Sequence, residues 1–140
     1  HLTTRRQRQM CIRDSRMAAA LLAADYVISP IELETYSLQG IKQMVTTVSN
    51  LRRSNPRLEF LGMVASKVDS RNPRHVRHQA ELNEAYPKMM VPVSIGLRSS
   101  VADAVATRVP VWKIKKTAAR KAAKEMRAFA DYVFTKMEIA

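Results

Sequence analysis

Short apolar runs alternate along this chain with longer segments in which apolar residues recur every three or four positions. Residues 26–31, 58–66 and 89–93 are compact runs rich in β-branched and other apolar side chains, and each predicts a buried strand. The segment after the first run predicts a helix, which Asn55-Pro56 is expected to end. Its apolar positions are Leu38, Ile41, Val45, Val48 and Leu51.

Two further helices are predicted in the first half of the chain. Residues 17–24 form an Ala/Leu run that indicates the end of a helix ahead of the first strand. Asn72-Pro73 combines a capping side chain with a proline at the first helical position. The helix that starts there is expected to run to Pro87.

The last third of the chain predicts a short helix and a long one. Ser99 or Ser100 should cap the short helix, and Thr117 should cap the long helix. The apolar stripe of the long helix consists of Ala119, Ala122, Ala123, Met126, Ala130, Val133, Phe134 and Met137.

The order of these elements indicates the fold class. Strands separated by helices of ten or more residues imply parallel pairing and right-handed crossovers. The predicted strands are apolar on both faces, so helices are expected on both sides of the sheet. The fold is therefore predicted to be α/β, with three strands of a doubly wound, mostly parallel sheet.

Ligands of such sheets bind at the carboxyl ends of the strands, which here are residues 30–34, 66–71 and 94–98. The second of these segments places Lys67, Asp69 and Arg71 in one strand-to-helix loop. Backbone N–H groups at the start of the next helix could complete an anion or nucleotide pocket there. The alternative is a solvated loop that holds a local ion pair.

Other site motifs are missing from the sequence. It has three glycines and no G-x-x-x-x-G-K, so it carries no phosphate loop, and it has no G-x-S-x-G. His75 and His78 lie three positions apart on one predicted helix without further ligands nearby. We expect a solvent-facing pair there rather than a metal site.

Positive charge is concentrated near the end of the chain. The net charge of +12 favours an acidic partner such as nucleic acid or an anionic surface, and no apolar run is long enough to span a bilayer. Between residues 108 and 127, Glu125 is the only acid. Phosphate contact is favoured there over a solvated helix face or a membrane-surface helix, because a solvated face usually mixes both signs. The cations are Arg108, Lys113, Lys115, Lys116, Arg120, Lys121, Lys124 and Arg127, and Trp112 lies beside them.

The first fifteen residues have a separate interpretation. Residues 5–15, RRQRQMCIRDS, match the translation of the transposase adapter used in sequencing libraries. A basic nucleic-acid-binding arm is the alternative, whereas the pattern of a secretory or transit peptide is missing. We therefore expect residues 1–15 to be adapter-derived, and the true start of the protein to lie upstream of residues 16–140. The remaining part has a net charge of +9 and no cysteine, which excludes disulfides and Cys-based metal sites.

Three segments resemble the ParA family of partition ATPases. Residues 23–44, AADYVISPIELETYSLQGIKQM, follow the family pattern A-D-x-V-I-x-P-x-x-x-E-x-x-S/A-L-x-G. Residues 61–71, LGMVASKVDSR, resemble the next strand and its D-x-R loop, and residues 95–112 resemble I-x-x-R-x-x-x-x-E-A with a later P-V. Asp103 stands for the usual glutamate, and Thr107-Arg108 replaces the usual glycine region. The resemblance covers residues 16–140 and implies the C-terminal half of a P-loop NTPase domain.

The resemblance also implies a function in plasmid or chromosome partition. It implies ATP and Mg²⁺ in the intact protein, a homodimer when ATP is bound, non-specific DNA binding, and a ParB-like centromere-binding partner, all in the bacterial cytoplasm at the nucleoid. The phosphate loop and the catalytic groups of such proteins lie in the first half, so this chain should be inactive alone. The residues implied to lie beside the adenine are Lys67, Asp69, Arg71 and Ser94. The residues implied to contact DNA are Arg98, Lys113, Lys115, Lys116, Arg120, Lys121, Lys124 and Arg127; Arg98 could instead lie beside the adenine.

Two other functions stay open at this point. A MinD-like ATPase of the same superfamily would work at a membrane and is expected to end in an added amphipathic helix, a feature that the last residues of this chain do not show. We therefore expect no stable membrane contact. A non-catalytic nucleic-acid-binding module would keep the α/β fold without the ATP site. The sequence upstream of Arg16 would decide between such a module and an ATPase.

Overall fold

The computed structural model describes residues 15–138. The predicted adapter-derived segment lies outside the described residues except for Ser15, and its origin stays a prediction. The elements follow the predicted order, with most boundaries within about two residues. They are α1 (15–23), β1 (Tyr26–Glu32), α2 (Leu38–Ser54), β2 (Glu59–Ser66), α3 (Pro73–Ala85), α4 (Ser99–Thr107), a 3₁₀ turn (Val111–Lys113) and α5 (Thr117–Lys136).

The sheet is built around β2. Strands β1 and β2 are neighbours, and parallel bridges join Met63 to Met90 and Val68 to Gly96. The predicted α/β class with parallel strand pairing is therefore confirmed.

The third predicted strand, residues 89–93, is wrong as a regular strand. The Met63 N–H donates to the Met89 carbonyl at 2.7 Å and the Val91 N–H donates to the Met63 carbonyl at 2.8 Å. In a regular parallel ladder the next donor would be Val93, but the bond to the Ala65 carbonyl comes from the Ile95 N–H, at 2.9 Å. The segment therefore pairs with β2 only through isolated bridges.

Gly62 allows this segment to lie close to β2. Its φ is +134°, a conformation that L side chains rarely adopt, and a Cβ there would lie 2.7 Å from the Met89 carbonyl oxygen. The close approach of the two backbones thus depends on a residue without a side chain.

The described part of the chain divides into two compact units, one of residues up to 27 with 37–60 and one of residues 28–36 with those from 61 on. In the first unit Leu21, Val48 and Leu58 form the core. The Asn55 side chain donates to carbonyls at the end of α1, including that of Ala24 at 2.9 Å. Asn55 directly follows the last residue of α2, as predicted. Its side chain also supplies hydrogen bonds to the backbone carbonyls at the end of α1.

The core of the second unit contains two groups of residues. Met63 and Leu82 are fully buried. Small side chains of α5 pack with α4 and the 3₁₀ turn, and this cluster consists of Ala104, Val111, Ala122 and Ala123. The apolar stripe predicted on α5 is buried only near the start of the helix, since Phe134 is 50% exposed.

The predicted caps have mixed outcomes. Asn72 is confirmed, because its side chain accepts from the Arg74 N–H at 3.0 Å ahead of Pro73. The serine cap of α4 is wrong: Arg98 occupies the N-cap position without a side-chain bond, and the helix starts at Ser99. Ser100 is buried instead, within the first turn.

The predicted threonine cap of α5 is also wrong, since Thr117 is the first helical residue and Lys116 precedes it as the N-cap. A cap that the sequence interpretation missed is Ser37, whose hydroxyl accepts from the Gly40 N–H at 3.0 Å at the start of α2.

Candidate functional site

The second unit brings together the carboxyl ends of both strands and the 95–97 segment. The Val68 N–H donates to the Ile95 carbonyl at 3.0 Å, and the Leu97 N–H donates to the Val68 carbonyl at 2.9 Å. We call this region the strand-end site. It surrounds a cavity of about 140 Å³ lined by Glu32, Leu33, Glu34, Lys67, Asp69, Asn72, His75 and Leu97.

The loop after β2 is ordered by its own polar groups. Asp69 Oδ1 accepts from the Arg71 N–H at 3.0 Å, so this carboxylate stabilises a turn. Lys67 has a φ of 53° and its Nζ lies 2.7 Å from Glu32 Oε1. Both side chains of this pair are largely exposed, which limits its contribution to about 1 kcal/mol at most. The loop thus holds an ion pair, but it is not the local pair considered from the sequence, because its partner belongs to β1.

Ser94 is not part of the loop after β2. It is half-buried in the segment after Pro92, one residue before Ile95 returns to the edge of β2. The four residues implied to lie beside the adenine therefore come from the loop after β2 and from the segment after Pro92, and of the four only Lys67 and Asp69 line the cavity. Their role in nucleotide binding stays a prediction.

His75 differs from the prediction. It was expected to face solvent, but it is 4% exposed. Its Nδ1 accepts from the Asp69 N–H at 3.0 Å, so the proton of the neutral ring lies on Nε2. That atom lies 3.4 Å from Glu34 Oε1 and has no hydrogen bond. The buried His75 ring therefore stabilises the loop after β2 by accepting a hydrogen bond from its backbone.

His78 has the opposite tautomer. Its Nδ1 lies 2.7 Å from the Leu33 carbonyl, which can only accept, so Nδ1 carries a proton. Its ring meets the Tyr36 ring edge-on at 5.1 Å. Burial raises the pKa of Tyr36 above its ordinary value, and the charge of Glu81 and a hydrogen bond to it act in the same direction. The two histidines support different backbone groups, and no group of three potential metal ligands occurs among the described residues.

Arg98 and Glu125 form a bidentate ion pair in this unit. Arg98 Nη2 donates to Glu125 Oε1 at 2.7 Å, and Arg98 Nε donates to Oε2 at 3.1 Å. The Gly96 N–H also donates to Oε2 at 3.1 Å. Burial acts to raise the pKa of Glu125, but these hydrogen bonds and the charges of Arg98 and Lys121 together lower it below its ordinary value. The bond to Glu125 likewise raises the pKa of Arg98.

The predicted cations are exposed on α5 and just before it. Arg120, Lys124 and Arg127 line a groove of about 440 Å³ with Trp112, whose side chain is 54% exposed. Among the described residues of this set, Lys116 has an ion pair, at 3.5 Å from Asp103. We call the set the basic surface, and it consists of Lys113, Lys115, Lys116, Arg120, Lys121, Lys124 and Arg127.

Sequence reasoning assigned no role to three residues that the structure places at these sites. Glu32 and His75 lie at the strand-end site, and Glu125 binds the loop that carries Arg98. Glu125 had one signal in the sequence, namely its position as the lone acid between residues 108 and 127. Glu32 had none, because its partner Lys67 is distant in the chain. His75 had none, because its partner, the Asp69 N–H six positions away, is a backbone group that no side-chain pattern marks.

Comparisons with known proteins bear on this arrangement. A family model described as an AAA domain matches residues 13–60. Protein IncC of Escherichia coli is 75% identical over 124 residues, which cover 89% of this chain and 34% of that relative. The chromosome partitioning protein ParA of Caulobacter vibrioides is 43% identical over 54 residues, which cover 38% of this chain and 20% of that relative. The resemblance to the ParA family is confirmed.

The match to these ParA-type relatives is partial in length, since the chain spans about a third of the IncC protein. A solved structure of cobyrinic acid a,c-diamide synthase from Mycobacterium smegmatis, with bound ADP and magnesium, is 29% identical with a TM-score of 0.49. The matched region covers 63% of this chain and 36% of the synthase chain.

The ParA-like segments now have positions in the structure. Glu34 and Asp69, which match family patterns, both line the cavity of the strand-end site. Arg98 and Asp103 belong to the third segment, and each makes an ion pair. None of the helices among residues 15–138 is both long and apolar enough to cross a membrane.

Proposed function

We propose that this chain is the C-terminal part of a ParA-type partition ATPase, preceded in the intact protein by a half that carries the phosphate loop. The intact protein would bind ATP and Mg²⁺, dimerise with ATP, hold DNA without sequence preference, and respond to a ParB-like partner. The chain alone would be inactive, because it has no G-x-x-x-x-G-K. The identity with IncC and ParA supports this assignment.

The strand-end site is the proposed position of the nucleotide base. Two neighbouring strand ends converge there around a small cavity, which is where open α/β sheets bind ligands. Lys67, Asp69, Arg71 and Ser94 are the proposed contacts. The Lys67–Glu32 ion pair is exposed and weak, so a nucleotide could replace it at little cost.

The basic surface is the proposed DNA contact, and its unbalanced charge is the observation that carries this proposal. The lone acid of the region, Glu125, is already bound to Arg98, and Lys116 has an ion pair with Asp103. None of the other six cations makes an ion pair among the described residues, although Asp131 lines the same groove and the charge of Lys121 acts on Glu125. Contacts of this kind are made to phosphates, so they depend on salt and not on sequence.

The test replaces two lysines of the surface in the full-length protein. Lys121→Ala with Lys124→Ala should weaken binding to unrelated DNA sequences alike and reduce the salt slope by about 2, since each lost phosphate contact removes about 0.9.

The matched control removes two equal charges elsewhere. Arg52→Ala with Arg53→Ala changes exposed residues in the last turn of α2 and should leave the salt slope within about 0.5 of the wild-type value. An unchanged slope in the lysine variant would remove α5 from the DNA surface. A complete start codon just before the codon of Arg16, in place of an upstream phosphate loop, would favour the non-catalytic binding module.

A further inference from the structure

Glu125 differs from the other acids near the basic surface in what it binds. Its carboxylate accepts three hydrogen bonds from one loop: the Gly96 N–H, Arg98 Nε and Arg98 Nη2, at 2.7 to 3.1 Å. Its side chain is 22% exposed and that of Arg98 is 26% exposed. A bidentate arginine–carboxylate pair fixes direction as well as distance. We call this set of bonds the clasp.

The loop that the clasp binds is also part of the strand-end site. The Leu97 N–H donates to the Val68 carbonyl, and the Val68 N–H donates to the Ile95 carbonyl. Leu97 also lines the cavity. Residues 95–98 are therefore bonded to the end of β2 and, through Glu125, to α5.

The remaining contacts of α5 are less directional. Its buried residues are the alanines at 119, 122 and 123. Ala122 and Ala123 form a cluster with Ala104 and Val111, and the half-buried Met126 packs against that cluster. Apolar burial is non-directional, so small side chains constrain the rotation of a helix weakly. The clasp therefore fixes where Lys121, Lys124 and Arg127, which are neighbours of Glu125 on the same helix, lie relative to the strand-end site.

We propose that Glu125 is a positioning residue that couples nucleotide binding at the strand-end site to the DNA affinity of the basic surface. This rests on the proposed function. A nucleotide that moves residues 95–98 moves α5 through the clasp, whereas without the clasp the two sites respond independently. Coupling between sites is a free-energy difference, and it is demonstrated by measuring one ligand in both states of the other.

The experiment measures the DNA affinity of the full-length protein with ADP and with a non-hydrolysable ATP analogue. The ratio is the Kd for DNA with ADP divided by the Kd for DNA with the ATP analogue. Glu125→Gln keeps the shape of the side chain and removes its charge, while Glu125→Asp keeps the charge and withdraws the carboxylate by one methylene. Asp131→Asn is the matched control, because Asp131 is an exposed acid on the same helix. Glutamine and asparagine remove the same charge, so electrostatic effects on DNA binding cancel in the comparison.

Both Glu125 variants should lower the ratio by about fivefold or more, the lower end of typical coupling between sites, and the control should keep the wild-type ratio. A merely structural role would change stability or both Kd values together and leave the ratio alone. If one Glu125 variant does not fold, the other decides.

Two outcomes overturn this proposal in distinguishable ways. A wild-type ratio above one that both folded Glu125 variants retain would show that the clasp does not couple the sites, while the proposed function stands. A wild-type protein with equal DNA affinity in both nucleotide states, or with none, would overturn the proposed function and the coupling with it.

Discussion

The strand-end site and the basic surface are both rich in charge, but they use it in different ways. At the strand-end site charged and polar groups satisfy one another: Lys67 pairs with Glu32, Asp69 closes a turn, and His75 accepts a backbone N–H. On the basic surface, Arg120, Lys124 and Arg127 line an open groove with Trp112, and Asp131 also lines it. The first arrangement holds backbone positions for a ligand of fixed shape, and the second attracts a polyanion of any sequence.

The comparison also shows where each region is vulnerable. The strand-end site depends on buried geometry, so single substitutions there should change stability. The basic surface depends on summed exposed charge, so substitutions there should change binding and its salt dependence while stability stays nearly constant.

The largest effect on the strand-end site is expected from Gly62→Ala. The new Cβ would lie 2.7 Å from the Met89 carbonyl oxygen at a φ of +134°, so the backbones at positions 62 and 89 would have to move apart. We expect a loss of about 3 kcal/mol or more in the free energy of unfolding, measured by chemical denaturation of the full-length protein. Gly40→Ala is the control, since its Cβ meets only the Ser37 hydroxyl, and it should stay within about 1 kcal/mol. Equal losses in both variants would contradict the close-approach argument.

A smaller effect is expected from His75→Phe. This change keeps an aromatic ring of similar size but leaves the Asp69 N–H without its acceptor, at a cost of about 1–3 kcal/mol. His78→Phe removes the donor to the Leu33 carbonyl at a half-buried position and should cost about 0.5–1.5 kcal/mol. Denaturation midpoints of the two variants test this order, and a larger loss for His78→Phe would show that His75 does not hold the loop.

The smallest effect is confined to acidic pH and concerns the clasp, which joins the two regions. Because the pKa of Glu125 is lowered in the folded protein, its contribution to stability is present above its unfolded value of 4.5 and is lost as the pH falls through the folded value. The neighbouring charged groups are Arg98 and Lys121, which stay cationic throughout. The stability difference between wild type and Glu125→Gln should therefore shrink as the pH falls below about 4.5. A difference that is constant from neutral to acidic pH would show that the ionised carboxylate is not what holds the loop.

The periodicity of apolar residues was sufficient to predict most elements. Strands at 26–31 and 58–66, and the helix stopped by Asn55-Pro56, follow from local patterns that burial and proline chemistry dictate. The strand at 89–93 failed because hydrophobicity does not fix pairing: after the bond from Val91, the next donor to β2 is Ile95 in place of Val93. The threonine cap of α5 failed because capping competence does not fix where a helix begins.

The sequence by itself determined the α/β class, the order of the elements, the excess of cations near α5 and the likeness to the ParA family, because these depend on local composition and spacing. Only the tertiary structure decided that His75 is buried, that Lys67 pairs with Glu32, and that Glu125 binds Arg98. The two ion pairs, and the approach of Glu34 to His75, each join residues from different parts of the chain. Glu34 and His75 are the farthest apart, at 41 positions. Contacts at such separations are set by how the strands and helices pack, which no local pattern of side chains encodes.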